Sequence, residues 1–139
     1  MNTELEKKLV EKYPKIFRDY HRDYRQTCMA WGCECGDGWY WLIDNLCGSI
    51  QSYIDCNDHR KICQVTASQI KEKFGALRFY FSGGDDYIEG MVSFAEYLSE
   101  SICEVCGKPG KLYPKGWVTV RCDECRAKDM NRHSLVDIP

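Results

Sequence analysis

Two pairs of cysteines in the last third of the chain are the residues best suited to chemistry. Cys103 and Cys106 form one CxxC, Cys122 and Cys125 the other, with 15 residues between the pairs. Two residues between paired thiols let both sulfurs reach one ion from a tight turn, and two such knuckles complete a tetrahedron. Four thiolates leave no open coordination position, so the spacing predicts one structural Zn2+ and no catalytic role for it. Gly107, directly after the first pair, suits the positive φ that follows a knuckle. Neither pair reads as opening a helix after a strand, the setting that redox cysteines prefer.

The other reactive groups form no comparable pattern. Cys28, Cys33 and Cys35, with Cys56, His59 and Cys63, would be a second metal set, and Cys56-x2-His59-x3-Cys63 has ligand types at workable spacing. Against it, Cys28-x4-Cys33-x-Cys35 is not a common knuckle, and Cys47 and Cys63 fall at apolar positions and read as core fillers. Glu34, Asp37, Asp44, Glu72, Asp85 and Asp86 show no diagnostic spacing, so they read as capping or solvated carboxylates. His21, His59 and His133 stand alone. The chain has no nucleophile elbow, phosphate loop or HExxH motif.

Aromatic residues are the second unusual feature. Trp31, Trp39, Tyr40 and Trp41 cluster around Gly32, Gly36 and Gly38. Two tryptophans at 39 and 41 of one helix would point about 200° apart, so they cannot share one buried face. Further on, Leu77, Phe79 and Phe81 alternate as the buried side of a strand, which turns Arg78 and Tyr80 outward. Trp, Tyr and Arg are the types enriched at interface hot spots. The expected binding surface is therefore Trp31, Trp39, Tyr40 and Trp41 together with Arg78 and Tyr80.

The elements that carry these residues follow from periodicity and caps. Thr3-Glu-Leu-Glu6 reads as a capping box, followed by Leu5, Leu9 and Tyr13 on one helical face that Pro14 ends. A short helix is expected around residues 16–24, then a loop. Asp37 is the expected N-cap of a helix over 37–56, whose apolar stripe runs through Trp39, Leu42, Ile43, Leu46, Ile50, Tyr53 and Ile54. Residues 62–82 read as a hairpin with Cys63, Val65 and Ala67 alternating, Gly75 in the turn, and a bulge between Ala67 and Ile70 where the parity slips. Asp86, with Glu89 as reciprocal partner, is the expected cap of a third helix bearing Ile88, Met91, Val92, Ala95, Leu98 and Ile102. Between the knuckles, Gly110, Pro114 and Gly116 punctuate a small hairpin whose second strand is expected at Trp117–Val120. The fold class is α+β: helices packed on a small antiparallel sheet over 1–102, and a four-cysteine zinc ribbon with a C-terminal tail over 103–139, docked because the third helix runs into Cys103.

Composition narrows the function. The 139 residues are 44% hydrophobic, enough for a packed core. The net charge is −2; residues 1–102 carry 12 Lys/Arg against 16 Asp/Glu, and residues 103–139 carry 7 against 5. Neither balance is that of a dedicated nucleic-acid binder. No apolar stretch resembles a signal peptide or a membrane span, so the expected setting is cytoplasmic, where ten cysteines are thiols or ligands.

Three segments together, Cys35-Gly-Asp-Gly-Trp39, Lys71-Glu-Lys-Phe-Gly-Ala-Leu-Arg-Phe-Tyr80, and Cys103-x2-Cys106-Gly-Lys-Pro-Gly110 with the second knuckle, resemble a group of small uncharacterised proteins of bacteria and their phages. The resemblance covers roughly residues 30–126. It implies an α+β body with a zinc ribbon, and it carries over no activity. Phage membership favours takeover of a host system, where small proteins bind a host protein or sequester a small ligand. The expectation is a non-enzymatic binding protein, an inhibitor of a host system from a phage or mobile element. The alternative is a nucleic-acid-binding zinc protein using Lys108, Lys111, Lys115, Arg121, Arg126 and Lys128, with Tyr113 and Trp117 for stacking. A metal-dependent enzyme ranks third.

Overall fold

The computed structural model describes residues 1–134. Helix α1 (Thr3–Lys12) begins one residue away from the expected cap: Asn2 Oδ1 accepts the backbone N–H of Leu5. This frees Glu6 from a capping box. Glu6 is buried, and its carboxylate accepts from the backbone N–H of Cys33 at 2.7 Å and from the Tyr20 hydroxyl at 2.6 Å. The first helix thereby holds the 28–34 loop from below.

No helix forms over 16–24. Residues 14–21 are successive turns, ended by His21 at φ 55°. Ile16 and Phe17 are buried all the same, and the Ile16 carbonyl accepts from Ala67 at 2.8 Å. A bond to the sheet replaces a bond along a helix, which satisfies the backbone equally well.

Helix α2 (Tyr40–Cys56) is entered through a 3-10 turn at Asp37–Trp39. Asp37 does not cap it; its two carboxylate oxygens accept from the Asn2 backbone and side-chain amides. Leu42, Ile43, Leu46, Cys47 and Ile50 are the buried face of α2. Cys47 is the core filler its position suggested, whereas Cys63 is exposed and lies before the strand rather than in it.

Strands β1 (Cys33–Glu34), β2 (Thr66–Lys73) and β3 (Ala76–Ser82) form a sheet in that order. β2 and β3 are antiparallel with a register shift between Ala67 and Gln69, where the parity slip placed a bulge. β1 joins parallel to β2, so the sheet is mixed. Ile70, Leu77 and Phe79 are buried; Phe81, expected with them, is only partly covered. Helix α3 (Asp86–Ser99) is capped by Asp85, whose Oδ1 accepts from Ile88, and not by Asp86. It lies along β3, the edge strand, and its side chains complete that edge. Ser99 Oγ accepts from the Leu77 N–H at 2.8 Å, and Glu96 Oε1 from the Phe79 N–H at 2.9 Å. An open edge would template pairing with another chain; two polar side chains close it here.

The C-terminal part is a hairpin, β4 (Lys111–Tyr113) with β5 (Thr119–Arg121), followed by α4 (Asp123–Ser134). The second strand starts two residues later than expected. The helix that starts within the second knuckle was not foreseen, and the Cys122–Cys125 pair does open a helix after a strand, contrary to the sequence reading. Asp123 and Glu124 in its first turn favour such a start electrostatically.

Candidate metal centre and exposed surfaces

The sulfurs of Cys103, Cys106, Cys122 and Cys125 lie within 4.8 Å of one another, and this group could hold a metal ion. Cys103 ends the turn after α3, Cys106 follows after two intervening residues, Cys122 directly follows β5 and Cys125 lies in the first turn of α4. Three are buried and Cys106 is exposed. The Cys106 and Cys122 sulfurs are 3.6 Å apart, and the Cys122 sulfur accepts from the Cys125 N–H at 3.5 Å. The sulfur thus does for α4 what a capping oxygen does for other helices.

The protons on these thiols are in conflict. Burial pushes the Cys103 thiol up, but backbone N–H groups of Cys122, Cys106 and Val105 outweigh it and bring it to about 7. Burial, then the neighbouring sulfurs of Cys122, Cys106 and Cys103, pushes Cys125 up. Four crowded thiols cannot all ionise alone; a cation among them allows it. Clustering of both pairs distinguishes the site from a redox CxxC, which works as a single pair.

The knuckle is seated on the Cys35–Trp39 loop. The Gly38 N–H donates to the Glu104 carbonyl at 2.8 Å, and the Trp39 indole N–H donates to the Ile102 carbonyl at 2.9 Å. A Cβ on Gly36 would stand 2.2 Å from the Glu104 carbonyl oxygen, and one on Gly38 the same distance from that of Cys103. Both obstacles are backbone, so only glycine permits the approach. Glu104, between the two cysteines of the first knuckle, reaches both ways: Oε1 accepts from Gly36 at 2.9 Å and Oε2 from Arg121 at 3.3 Å. Arg121 in turn donates to Asp129 of α4 at 2.8 Å. Nothing in the sequence separated Glu104, Arg121 and Asp129 from ordinary surface charges.

The second cysteine set does not assemble. Among the described residues the group 103, 106, 122 and 125 is the one that could hold a metal. Cys28, Cys56 and Cys63 are exposed, while Cys33 and Cys35 are buried. Burial pushes the Cys33 and Cys35 thiols up, Cys35 to about 12, so both remain protonated fillers. Of the carboxylates without diagnostic spacing, Asp37, Glu72 and Asp85 accept backbone N–H groups and Asp44 pairs with Lys12 and Tyr13.

The expected aromatic surface is divided. Trp39, the last residue of the 3-10 turn before α2, is fully buried, whereas Trp41, in the first turn of α2, is 66% exposed, so the two do not share a buried face. Tyr40 is partly buried. Trp31 is exposed beside Tyr24. Arg78 and Tyr80 face away from Leu77 and Phe79, and Arg78 stands 4.0 Å from Glu96. Two surfaces escaped the sequence reading. Trp41 heads an apolar groove of about 230 Å³ between α2 and α3, lined further by Leu46, Met91, Phe94 and Leu98. Phe74 and Trp117, 43 positions apart, line a cleft of about 340 Å³ between the two hairpin tips. The basic residues of the ribbon are largely matched: Lys108 with Glu124, Lys111 with Asp123, Arg121 with Glu104 and Asp129, and Arg126 over the Tyr113 ring.

No helix among the described residues is long and apolar enough to cross a membrane. Comparison with protein-family models, with curated proteins and with solved structures returned no match.

Proposed function

We propose that this chain is a non-enzymatic binding protein, built around one structural zinc ion and docking a partner protein in the groove headed by Trp41. The observation that carries the reading is that groove. Trp41 and Phe94, 66% and 62% exposed, stand over a floor of Leu42, Leu46, Ala95 and Leu98, and no charged side chain lines it. Large aromatics held on rigid helices over apolar pockets are what interface anchors look like. A groove between two helices suits an amphipathic helix of the partner. The resemblance of residues 30–126 to small proteins of bacteria and their phages supports a host protein as the partner and its inhibition as the role.

Zinc is the metal that the donor set favours. Four thiolates at about 2.3 Å from one ion place neighbouring sulfurs about 3.8 Å apart, close to the spacing at Cys106 and Cys122. The closed set gives the ion a folding role: it joins the turn after α3 to the start of α4. Nucleic acid on the face formed by Lys108, Lys111 and Arg121 is disfavoured because those three cations are already paired with acids.

A photo-crosslinking amino acid in place of Phe94 should capture one host protein from nuclease-treated lysate. Trp41→Ala should then weaken binding of that purified protein by tenfold or more, at about 1.4 kcal/mol per decade. Zinc content and melting temperature should stay as in the wild type, since Trp41 is no part of the core. Undiminished affinity in a Trp41→Ala/Phe94→Ala variant would refute the assignment of the groove.

A further inference from the structure

A strained residue marks a second site. Phe74 and Gly75 are the two central residues of the β2–β3 turn, at φ 52° and 80°, with Lys73 paired to Ala76 on either side. Two positive φ values make this the tight hairpin turn whose first position takes Asn, Asp or Gly. A bulky side chain there is an outlier that local structure disfavours. The ring gains nothing from the core in return, because it is 75% exposed. Strain held without a packing reward is the kind of feature that points to a ligand.

What faces Phe74 supports that. Gly75 lies close to Leu112 and Val118 of the second hairpin, where an added Cβ would stand 2.6 Å and 3.1 Å from their side chains, so the two tips meet at this glycine. Trp117, 82% exposed, is thereby carried to the same cleft as Phe74. The cleft is about 340 Å³, lined by Glu72, Lys73, Phe74, Gly116, Trp117 and Val118, in the size range of small-ligand sites. Its lining carries one carboxylate, Glu72, and one ammonium, Lys73. The Glu72 carboxylate is taken by the Gly75 N–H at 2.7 Å. Lys73 lies 5.7 Å from the Phe74 ring centroid, and among the described residues it is not ion-paired with an acid. Flat apolar faces beside an ammonium group without an ion-pair partner complement a ligand that is planar at one end and anionic at the other.

We propose that the Phe74–Trp117 cleft binds single-stranded nucleic acid, stacking unpaired bases on the two rings and placing a phosphate against Lys73. Stacking tolerates any base, so the site is selective for single strands and indifferent to sequence. A duplex hides its base faces and cannot use the rings. The site is independent of the Trp41 groove and shares no lining residue with it.

The test is fluorescence anisotropy of a labelled 12-nucleotide single strand titrated with the zinc-loaded full chain. One phosphate contact predicts a shallow salt dependence, with log K falling against log salt at a slope of about −0.7. Trp117→Ala should weaken binding about fivefold to a hundredfold. Phe74→Asn is the sharper variant. Asn accepts the positive φ, so this chain should melt no lower than the wild type while losing affinity to a similar degree. Four results would overturn the proposal: no anisotropy change up to about 100 μM protein, the weak end of non-specific binding; wild-type affinity in both variants; a duplex of the same sequence bound as well as the strand; or a nucleoside monophosphate bound as well as the 12-mer. A protein crosslinked from lysate at position 117, with no oligonucleotide bound, would assign the cleft to a peptide and overturn it likewise.

Discussion

At the scale of single residues, Glu104 does more than its place between two cysteines suggests. Its carboxylate ties the Gly36 N–H of the body to Arg121 beside the second knuckle, and Arg121 continues to Asp129. Both Glu104 and Arg121 are only 15% exposed at the side chain, so water replaces a lost partner poorly. Glu104→Ala leaves one backbone donor and part of one guanidinium without an acceptor. The expected loss of stability is about 1–3 kcal/mol, read as a lower urea midpoint with zinc still bound. Glu104→Gln keeps an oxygen for Gly36 and should recover part of the loss. Identical midpoints for wild type and Glu104→Ala would mean that the side chain braces nothing.

At the scale of elements, the edge strand and its helix act as a unit. α3 contributes Ser99 and Glu96 to the free N–H groups of β3, and it does so because i and i+3 lie on one helical face. Ser99 is fully buried, which its residue type alone would not suggest. Ser99→Ala removes the side-chain oxygen bonded to the Leu77 N–H and should cost about 1–2 kcal/mol. Hydrogen exchange at the Leu77 amide should accelerate more than at Phe79, where Glu96 remains. Equal acceleration at both amides would show that α3 as a whole had moved away, and that the edge is held by packing alone. The alternation of Leu77 and Phe79 was plain in the sequence. The edge contacts were not, because a serine and a glutamate on a helix have many ordinary uses.

At the scale of the whole molecule, metal and body are coupled through one tryptophan. Of the four tryptophans, Trp39 alone is buried, and its indole N–H bonds to the carbonyl directly before Cys103. Purified protein should carry about one zinc per chain. Chelating it should free the first knuckle, unseat the Gly36–Gly38 loop and wet Trp39, seen as a red shift in emission because the other three tryptophans already meet solvent. Acid should act in the same direction. Ligand thiols must give up their protons to bind, so protons compete, and zinc is retained at neutral pH and released as the pH falls. Unchanged emission from a chain proven metal-free would show that the loop and Trp39 hold without the metal.

The sequence by itself determined whatever depends on short-range pattern: the two CxxC pairs, the stripes of α2 and α3, the alternation of β3, the bulge in β2, and the divergence of Trp39 from Trp41. Each follows from a fixed geometric period or a fixed ligand spacing, so neighbours in the chain suffice. Caps were displaced by a residue, at Asn2 for Thr3 and Asp85 for Asp86, because adjacent polar side chains compete for the same N–H groups. Tertiary structure decided the rest. It buried Cys33 and Cys35 apart from Cys28, Cys56 and Cys63, which ends the second metal set. It exposed Cys63 and dissolved the helix at 16–24 into turns bonded to the sheet. It brought Phe74 to Trp117 and Trp41 to Phe94, pairs that share no period and no motif. Metal ligands announce themselves because the ion demands their spacing; surfaces do not, because apolar side chains distant in sequence become one patch only when the chain is packed.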